Sequence, residues 1–163
     1  MKVLALVLSC VLPAAAAVSA FAQVAPATLE GDWRLVEQTY GRGGHNFAEG
    51  ADLRLSFARG ATGFAVRLAV DGHTAPWPAY FGPDGPVPLV SSRWLADPDE
   101  RGVTAEYVVA PAPGDDTSLR VTERYRLGDD GQLRGEMSVR FERAGELRGG
   151  FTWHRTFARG ARP

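Results

Sequence analysis

The feature that most constrains the fold is a two-residue alternation of apolar and polar side chains, repeated in short segments. Leu53, Leu55 and Phe57, for example, alternate with Arg54 and Ser56. Successive side chains of a β-strand point to opposite faces, so this period predicts strands with one buried face. Further segments of strand character begin near residues 32, 64, 89, 103, 119, 133 and 147. The chain is therefore expected to fold as an all-β protein.

Short turns rich in glycine and aspartate separate these segments. Asp71-Gly72, Gly128–Gly131 and Ala144-Gly145 are typical of tight hairpin turns. About eight strands at such close spacing indicate a sandwich or an up-and-down barrel. On nearly every strand the apolar residues occupy alternate positions. This favours the antiparallel up-and-down barrel, whose closure also removes exposed sheet edges. No substantial helix is expected after the first 22 residues.

The first 22 residues have the pattern of an export signal. Met1-Lys2 precedes an apolar run that is shorter than the about 20 residues of a membrane-spanning helix. Ala20-Phe21-Ala22 places small residues where a signal peptidase cleaves. We expect residues 1–22 to be removed and residues 23–163 to form one domain, periplasmic or secreted. The alternative is a lipoprotein cleaved before Cys10.

Composition excludes several classes of function. Cys10 is the only cysteine, so a chain cleaved after Ala22 would have no disulfide, thiolate nucleophile or cysteine-bound zinc. The formal net charge is −1 and no basic block stands alone, so no nucleic-acid partner is expected. No later segment is expected to span a membrane. The histidines lack metal-ligand spacing and no catalytic fingerprint occurs, so neither a metal nor a cofactor is expected.

Two short motifs near the chain ends carry a family resemblance. Gly31-Asp32-Trp33 opens the first strand, and Arg155 shares the inward face of the last strand with Trp153 and Phe157. This resembles the lipocalins and the wider calycin superfamily, in which G-x-W opens the barrel and a last-strand arginine lies across the tryptophan. The resemblance implies closure of one barrel end by Gly31, Trp33 and Arg155, with a stacking contribution of about 0.5–2 kcal/mol. The lipocalin T-D-Y motif, a cysteine bridge and room for a final helix are absent.

The candidate ligand-binding residues begin in a proline-rich stretch, residues 75–88. Its prolines exclude a central strand, because each lacks a backbone donor. Three aromatic side chains make it a candidate lid over the barrel mouth, since loops on rigid scaffolds often carry function. The alternative is a surface loop docked on the barrel wall. A glycine-rich segment, residues 41–50, would form the second mouth loop. The predicted ligand-binding set is Trp77, Tyr80, Phe81, Tyr107, Glu123 and Tyr125.

Glu123 is a carboxyl group on an otherwise apolar strand face, between Val121 and Tyr125. Inside a cavity it would orient a ligand or move a proton. Alternatively, it is a buried partner for an arginine such as Arg155, or a bulge turns it outward. Glu37 and Thr39 raise the same question on the first strand, where a bulge after Val36 would turn them to solvent.

Three functions are compatible with these patterns. The first is an exported, non-catalytic protein that binds a small hydrophobic ligand inside the barrel. The second is a barrel filled by its own side chains that serves as an envelope or interaction module. The third is a small isomerase or cyclase with Glu123 as its base. The identity of a ligand and the oligomeric state are not encoded in any recognisable motif.

Overall fold

A computed structural model describes residues 27–40, 52–60, 63–111 and 114–160 of the chain. The expected export signal, Cys10 and the glycine-rich segment 41–50 lie outside these ranges. A short 3-10 turn, Ala27–Leu29, leads into the strands. The strands are β1 Gly31–Tyr40, β2 Leu53–Gly60, β3 Gly63–Val70, β4 His73–Pro76, β5 Tyr80–Gly82, β6 Gly85–Val87, β7 Leu89–Ala96, β8 Gly102–Val109, β9 Thr117–Leu127, β10 Leu133–Arg143 and β11 Glu146–Arg159.

Nine of these strands form a single antiparallel sheet. Its order is β4-β3-β2-β1-β11-β10-β9-β8-β7, so strands adjacent in this sheet are also adjacent in sequence except where β1 meets β11. The sheet curls into a barrel-like form, which confirms the predicted all-β, up-and-down architecture. Within the described ranges, no helix has the length and apolar character needed to cross a bilayer.

The pairing of the first and last strands is as predicted, but the arginine that covers Trp33 is Arg159. The register places Trp33 opposite Arg159 and Gln38 opposite Arg155. The Arg159 guanidinium carbon lies 4.7 Å from the centre of the Trp33 ring. That of Arg155 lies 5.3 Å from the Trp153 ring centre instead. The predicted stacking of Arg155 on Trp33 is therefore wrong.

Arg159 also fastens the residues that precede β1. Its guanidinium donates hydrogen bonds to the carbonyl oxygens of Thr28, at 2.8 Å, and Glu30, at 3.2 Å. The Trp33 indole N–H donates to the Leu29 carbonyl oxygen at 2.9 Å. Gly31 adopts a φ of 123°, which favours glycine at this entry into the sheet. These contacts close one end of the sheet with residues from both ends of the described chain.

The predicted bulge after Val36 is present. The β1–β11 register shifts between Leu35 and Glu37, and the Val36 side chain is 56% exposed. The extra residue reverses the inward and outward parity of the strand, so Glu37 and Thr39 face solvent. The question raised by these polar residues is thus resolved without any role in the barrel interior.

The proline-rich stretch forms a hairpin apart from the main sheet. β5 and β6 pair only with each other, in agreement with the exclusion of a central strand. We call residues 77–88 the insert. The backbone N–H of Trp77 donates to the Val66 carbonyl oxygen at 2.8 Å, and its ring lies 6.0 Å from that of Trp94 on β7. The insert therefore connects the β4 end of the sheet with the β7 end.

Candidate functional site

Glu123 is the buried charge around which the barrel interior is arranged. Its side chain is 1% exposed. The carboxylate accepts hydrogen bonds from the Trp77 indole N–H at 2.5 Å, the Tyr107 hydroxyl at 2.8 Å and the Tyr125 hydroxyl at 3.3 Å. Burying a carboxylate is costly unless donors replace its water shell, and here three side chains do so. We call Glu123 and these three donors the carboxylate cluster.

Strand register explains how the cluster forms. Ala105 of β8 lies opposite Glu123 of β9, and Tyr107 lies two residues further along the same face. Diagonal neighbours on paired strands are within reach of long aromatic side chains. Tyr125 shares the inward face of β9 with Glu123, two residues away. Trp77 enters from the insert and completes the cluster.

Arg155 extends the cluster toward the first strand. Its guanidinium, like the rest of the side chain, is buried, with 3% of the residue exposed. It donates to the Tyr125 hydroxyl oxygen at 3.4 Å and to the Gln38 amide oxygen at 3.0 Å. Tyr125 thus accepts from Arg155 and donates to Glu123, connecting the two buried charges. Glu123 thus reaches Arg155 through the Tyr125 hydroxyl.

The cluster also fixes the protonation of its two tyrosines. Burial, followed by the charge of Glu123, raises the pKa of Tyr107 well above its ordinary value. The same two causes raise the pKa of Tyr125. Both hydroxyls therefore remain protonated donors toward the carboxylate at neutral pH.

The space beside Glu123 is too small for an organic ligand. The cavity there has a volume of about 10 Å³. That is about the minimum for one water molecule, which needs roughly 10–15 Å³ on this measure. It is lined by Leu53, Leu68, Ala79, Tyr80, Phe81, Glu123, Met137 and Arg155. Side chains of the insert, Trp77 and Phe81 among them, occupy volume that the prediction assigned to a ligand.

A much larger apolar pocket lies at one end of the barrel. We call it the rim pocket; its volume is about 610 Å³, within the roughly 300–1,000 Å³ typical of small-molecule sites. It lies between the insert and the ends of β8, β9 and β10. Its lining residues are Tyr80, Val87, Pro88, Val109, Ala110, Pro111, Asp115, Thr117, Leu119 and Phe141. This shape and lining suit a compact apolar molecule.

The six predicted ligand-binding residues are distributed among the carboxylate cluster, the small cavity beside it and the rim pocket. Trp77, Tyr107, Glu123 and Tyr125 form the carboxylate cluster, and Phe81 lines the small cavity beside it. Only Tyr80 lines the rim pocket as well as that cavity. A role in ligand binding stays a prediction for all six.

Sequence reasoning missed the apolar walls of the rim pocket. Val109, Leu119 and Phe141 are inward positions close to the ends of their strands, next to connecting loops. The sequence did contain a usable signal for these walls. It is the presence of apolar residues at inward positions near the ends of adjacent strands, where the core opens to solvent.

Chemically, the arrangement is suited to binding more than to catalysis. The carboxylate of Glu123 is engaged by the protein's own donors, and the adjoining cavity leaves no room for a substrate. The hypothesis of an isomerase or cyclase with Glu123 as base finds no support in this geometry. Among the described residues, no three histidine, cysteine, aspartate or glutamate side chains converge as a metal site would require.

Comparison with known proteins gives a distant structural likeness. No family model matches the sequence, and no curated protein matches it. Among solved structures, it is similar to one described as "REP1-NXSQ fatty acid transporter", with a TM-score of 0.38 and 9% sequence identity. The match covers 84% of this chain and 99% of that one. A likeness this distant carries no information about a ligand.

Proposed function

We propose that this chain is an exported, lipocalin-like, non-catalytic protein that binds a small hydrophobic molecule in the rim pocket. The supporting observation is that pocket itself, about 610 Å³ in volume and bounded by Val87, Val109, Leu119 and Phe141. Burial of apolar surface contributes about 25 cal/mol per Å² and supplies the affinity. The proposal moves the ligand from the barrel interior, where the sequence placed it, to the barrel end.

The edge of the pocket narrows the ligand class. Asp115 lies at the pocket wall beside Thr117. The Thr117 backbone N–H donates to the Asp115 carboxylate at 2.9 Å and lowers the pKa of that carboxyl, so it is ionised at neutral pH. A negative charge here repels a carboxylate and accepts hydrogen bonds from a hydroxyl or amine. The preferred ligand is therefore apolar with a neutral or cationic polar end.

Binding of the neutral, polarity-sensitive dye Nile red tests this proposal. In Leu119→Arg a charged side chain enters the pocket, and we expect the dye affinity to fall about tenfold or more, since an unpaired charge in an apolar site is costly. The control is Leu147→Arg, at a residue of β11 that is 64% exposed and does not line the pocket. Equal affinity in L119R and the unmodified protein, with both folded by circular dichroism, would contradict the proposal.

A second candidate, a filled barrel that acts as an interaction module, is favoured by the small cavity beside Glu123. Native mass spectrometry of protein purified from its own source separates the two. A co-purifying small-molecule mass supports ligand binding, whereas a bare chain supports the filled barrel. The same spectrum tests export, because removal of residues 1–22 leaves Gln23 as the first residue.

A further inference from the structure

The outer wall of the sheet carries a polar groove that neither candidate function uses. It spans β7 to β10 and has a volume of about 600 Å³. Its lining residues are Ser91, Ser92, Arg93, Glu106, Tyr107, Val108, Arg120, Thr122, Ser138 and Arg140. None of them lines the rim pocket. A concave, hydroxyl-rich surface with arginines has the chemistry of an anion-binding site rather than an apolar one.

The groove contains one of two places where β9 and β10 set arginines directly opposite each other. Arg120 pairs with Arg140, and Arg126 pairs with Arg134. Like charges at directly opposed positions destabilise a sheet unless other charges compensate them. The two pairs lie on the same two strands and the same face, so their surroundings can be compared directly.

The pair outside the groove is fully compensated by the protein's own carboxylates. Arg126 binds Asp97 at 3.2 Å and also Asp99. Arg134 binds Asp130 at 2.6 Å. Each guanidinium of this pair therefore has at least one carboxylate in contact, and no positive charge is left over.

The pair inside the groove is compensated only in part. Arg120 binds Glu142 at 3.1 Å. Across the part of the chain that the structure describes, Arg140 forms no ion pair with any carboxylate. The other charged residues of the groove, Arg93 and Glu106, bind each other. Among the described residues, the Arg140 guanidinium, beside that of Arg120, thus has no carboxylate partner.

Hydroxyl groups surround this unmatched positive charge. Thr122 and Ser138 lie opposite each other, two residues from the arginine pair on the same face. Ser91 of β7, opposite Val108 on the outer face, lines the far side of the groove. Guanidinium groups form strong, often bidentate hydrogen bonds with oxyanions, and hydroxyls both donate to and accept from sugar hydroxyls.

We propose that this groove binds a small, hydroxyl-rich oxyanion, namely a sugar that carries a phosphate, sulfate or carboxylate group. The anionic group lies between Arg120 and Arg140, and the hydroxyls of Thr122, Ser138 and Ser91 bind the sugar. The site is independent of the rim pocket, so its presence or absence does not bear on the apolar ligand.

Isothermal titration of the full chain with glucose 6-phosphate tests the site, with glucose and inorganic phosphate as comparison ligands. We expect glucose 6-phosphate to bind more tightly than either, with an affinity that falls as salt screens the charges. Arg140→Gln and Arg120→Gln should each weaken it about tenfold or more, as expected for loss of a charge-assisted hydrogen bond. Arg134→Gln is the matched control on the same strand and should leave binding unchanged.

Several results would overturn the proposal. Absence of glucose 6-phosphate binding at low ionic strength rejects the site. An equal loss in R134Q and R140Q, both folded by circular dichroism, shows a diffuse charge effect in place of a groove. Binding of glucose alone with the same affinity rejects the oxyanion, and equal affinity for inorganic phosphate rejects the sugar.

Discussion

At the scale of single residues, the carboxylate cluster shows how a buried charge can be part of a stable core. Glu123 has exchanged its hydration for the indole of Trp77 and two tyrosine hydroxyls. A buried carboxylate that lost these donors would destabilise the fold, because charge–donor hydrogen bonds offset desolvation. The stability of the fold therefore depends on the three donors, and on their remaining protonated, as well as on the Glu123 carboxylate.

The two tyrosines make stability fall at alkaline pH. Burial and the Glu123 charge raise the pKa of Tyr107 and Tyr125 above the ordinary value of 10.0. Above pH 10 the unfolded chain releases these protons while the folded chain keeps them, so the free energy of unfolding decreases as pH rises. Each tyrosine contributes a slope of about 1.4 kcal/mol per pH unit. Urea unfolding measured from about pH 9 to about pH 11 should show this decline in the free energy of unfolding.

Tyr107→Phe is the control for that prediction. The variant loses one hydrogen-bond donor to Glu123, so it should be less stable than the unmodified protein at about pH 8, where tyrosine is protonated in the folded and the unfolded chain. Its stability should nevertheless fall less steeply with pH than that of the unmodified protein, because one titrating group is gone. Parallel pH curves for the two proteins would show that the hydroxyl of Tyr107 is not protected by the fold.

Gly135 is required by the packing of the tyrosine beside it. A β-carbon at Gly135 would lie 2.7 Å from the Tyr125 ring, closer than such contacts occur. Gly135→Ala should lower the free energy of unfolding by about 1–3 kcal/mol, as overpacking does.

Gly149→Ala serves as the comparison for Gly135→Ala. It lies on β11, and its β-carbon would meet nothing nearer than Phe141 at 4.0 Å. Urea unfolding should show little loss for this variant. Equal losses in both variants would mean that strand propensity, not contact with Tyr125, accounts for the effect.

The misassigned arginine shows that the alternation of inward and outward residues cannot identify which arginine contacts Trp33. Arg155 and Arg159 are four residues apart and lie on the same face of β11 by alternation, so both satisfy the pattern that identified a partner for Trp33. The choice depends on the register between β1 and β11, which the motifs do not give. Contacts in the carboxylate cluster were equally hidden, since Trp77 and Glu123 are 46 residues apart in the sequence.

At the scale of elements, the Trp77 indole is one of several attachments of the insert to the barrel. The Ala110 backbone N–H also donates to the Pro88 carbonyl oxygen, and the Tyr107 hydroxyl to the Ala79 carbonyl oxygen. Trp77→Phe keeps an aromatic ring near Tyr125 and Trp94 but removes the N–H that donates to Glu123. Loss of a hydrogen bond to a charged group should lower the free energy of unfolding by about 1.5–3 kcal/mol. Urea unfolding measures this loss, with Trp94→Phe as the matched control. An equal or larger loss in W94F would argue against the hydrogen bond as the main attachment.

The elements that the sequence predicted correctly are the long alternating ones. Segments such as β2 and β10 have enough residues to display period two, and the bulge in β1 followed from polar residues at inward positions. β4, β5 and β6 were missed because each has only three or four residues, too few for a period to appear. Prolines in and around them further disguised their extended backbone.

At the scale of the whole molecule, the sheet has a joined side and an open side. β1 and β11 connect the chain ends in its middle, whereas β4 and β7 lie at its two ends. Backbone groups of β10 are paired on both sides, by β9 and β11. Those of β7 are paired by β8 on one side only. In the part of the chain that the structure describes, the insert and not a further ladder of hydrogen bonds lies between β4 and β7.

This asymmetry predicts a gradient of amide hydrogen exchange. Amides of β10 and β11 should exchange only through global unfolding, while those of β7 and β4 exchange through local opening, with protection lower by about tenfold or more. Exchange measured by NMR in the unmodified protein tests the order, and Trp77→Phe should lower protection in β4 and β7 without changing that order. Protection of β7 equal to that of β10 would mean that the two edges are joined in solution. Because the insert contacts both β3 and β7, loss of its indole contact should affect the open side of the sheet more than the paired strands in the middle.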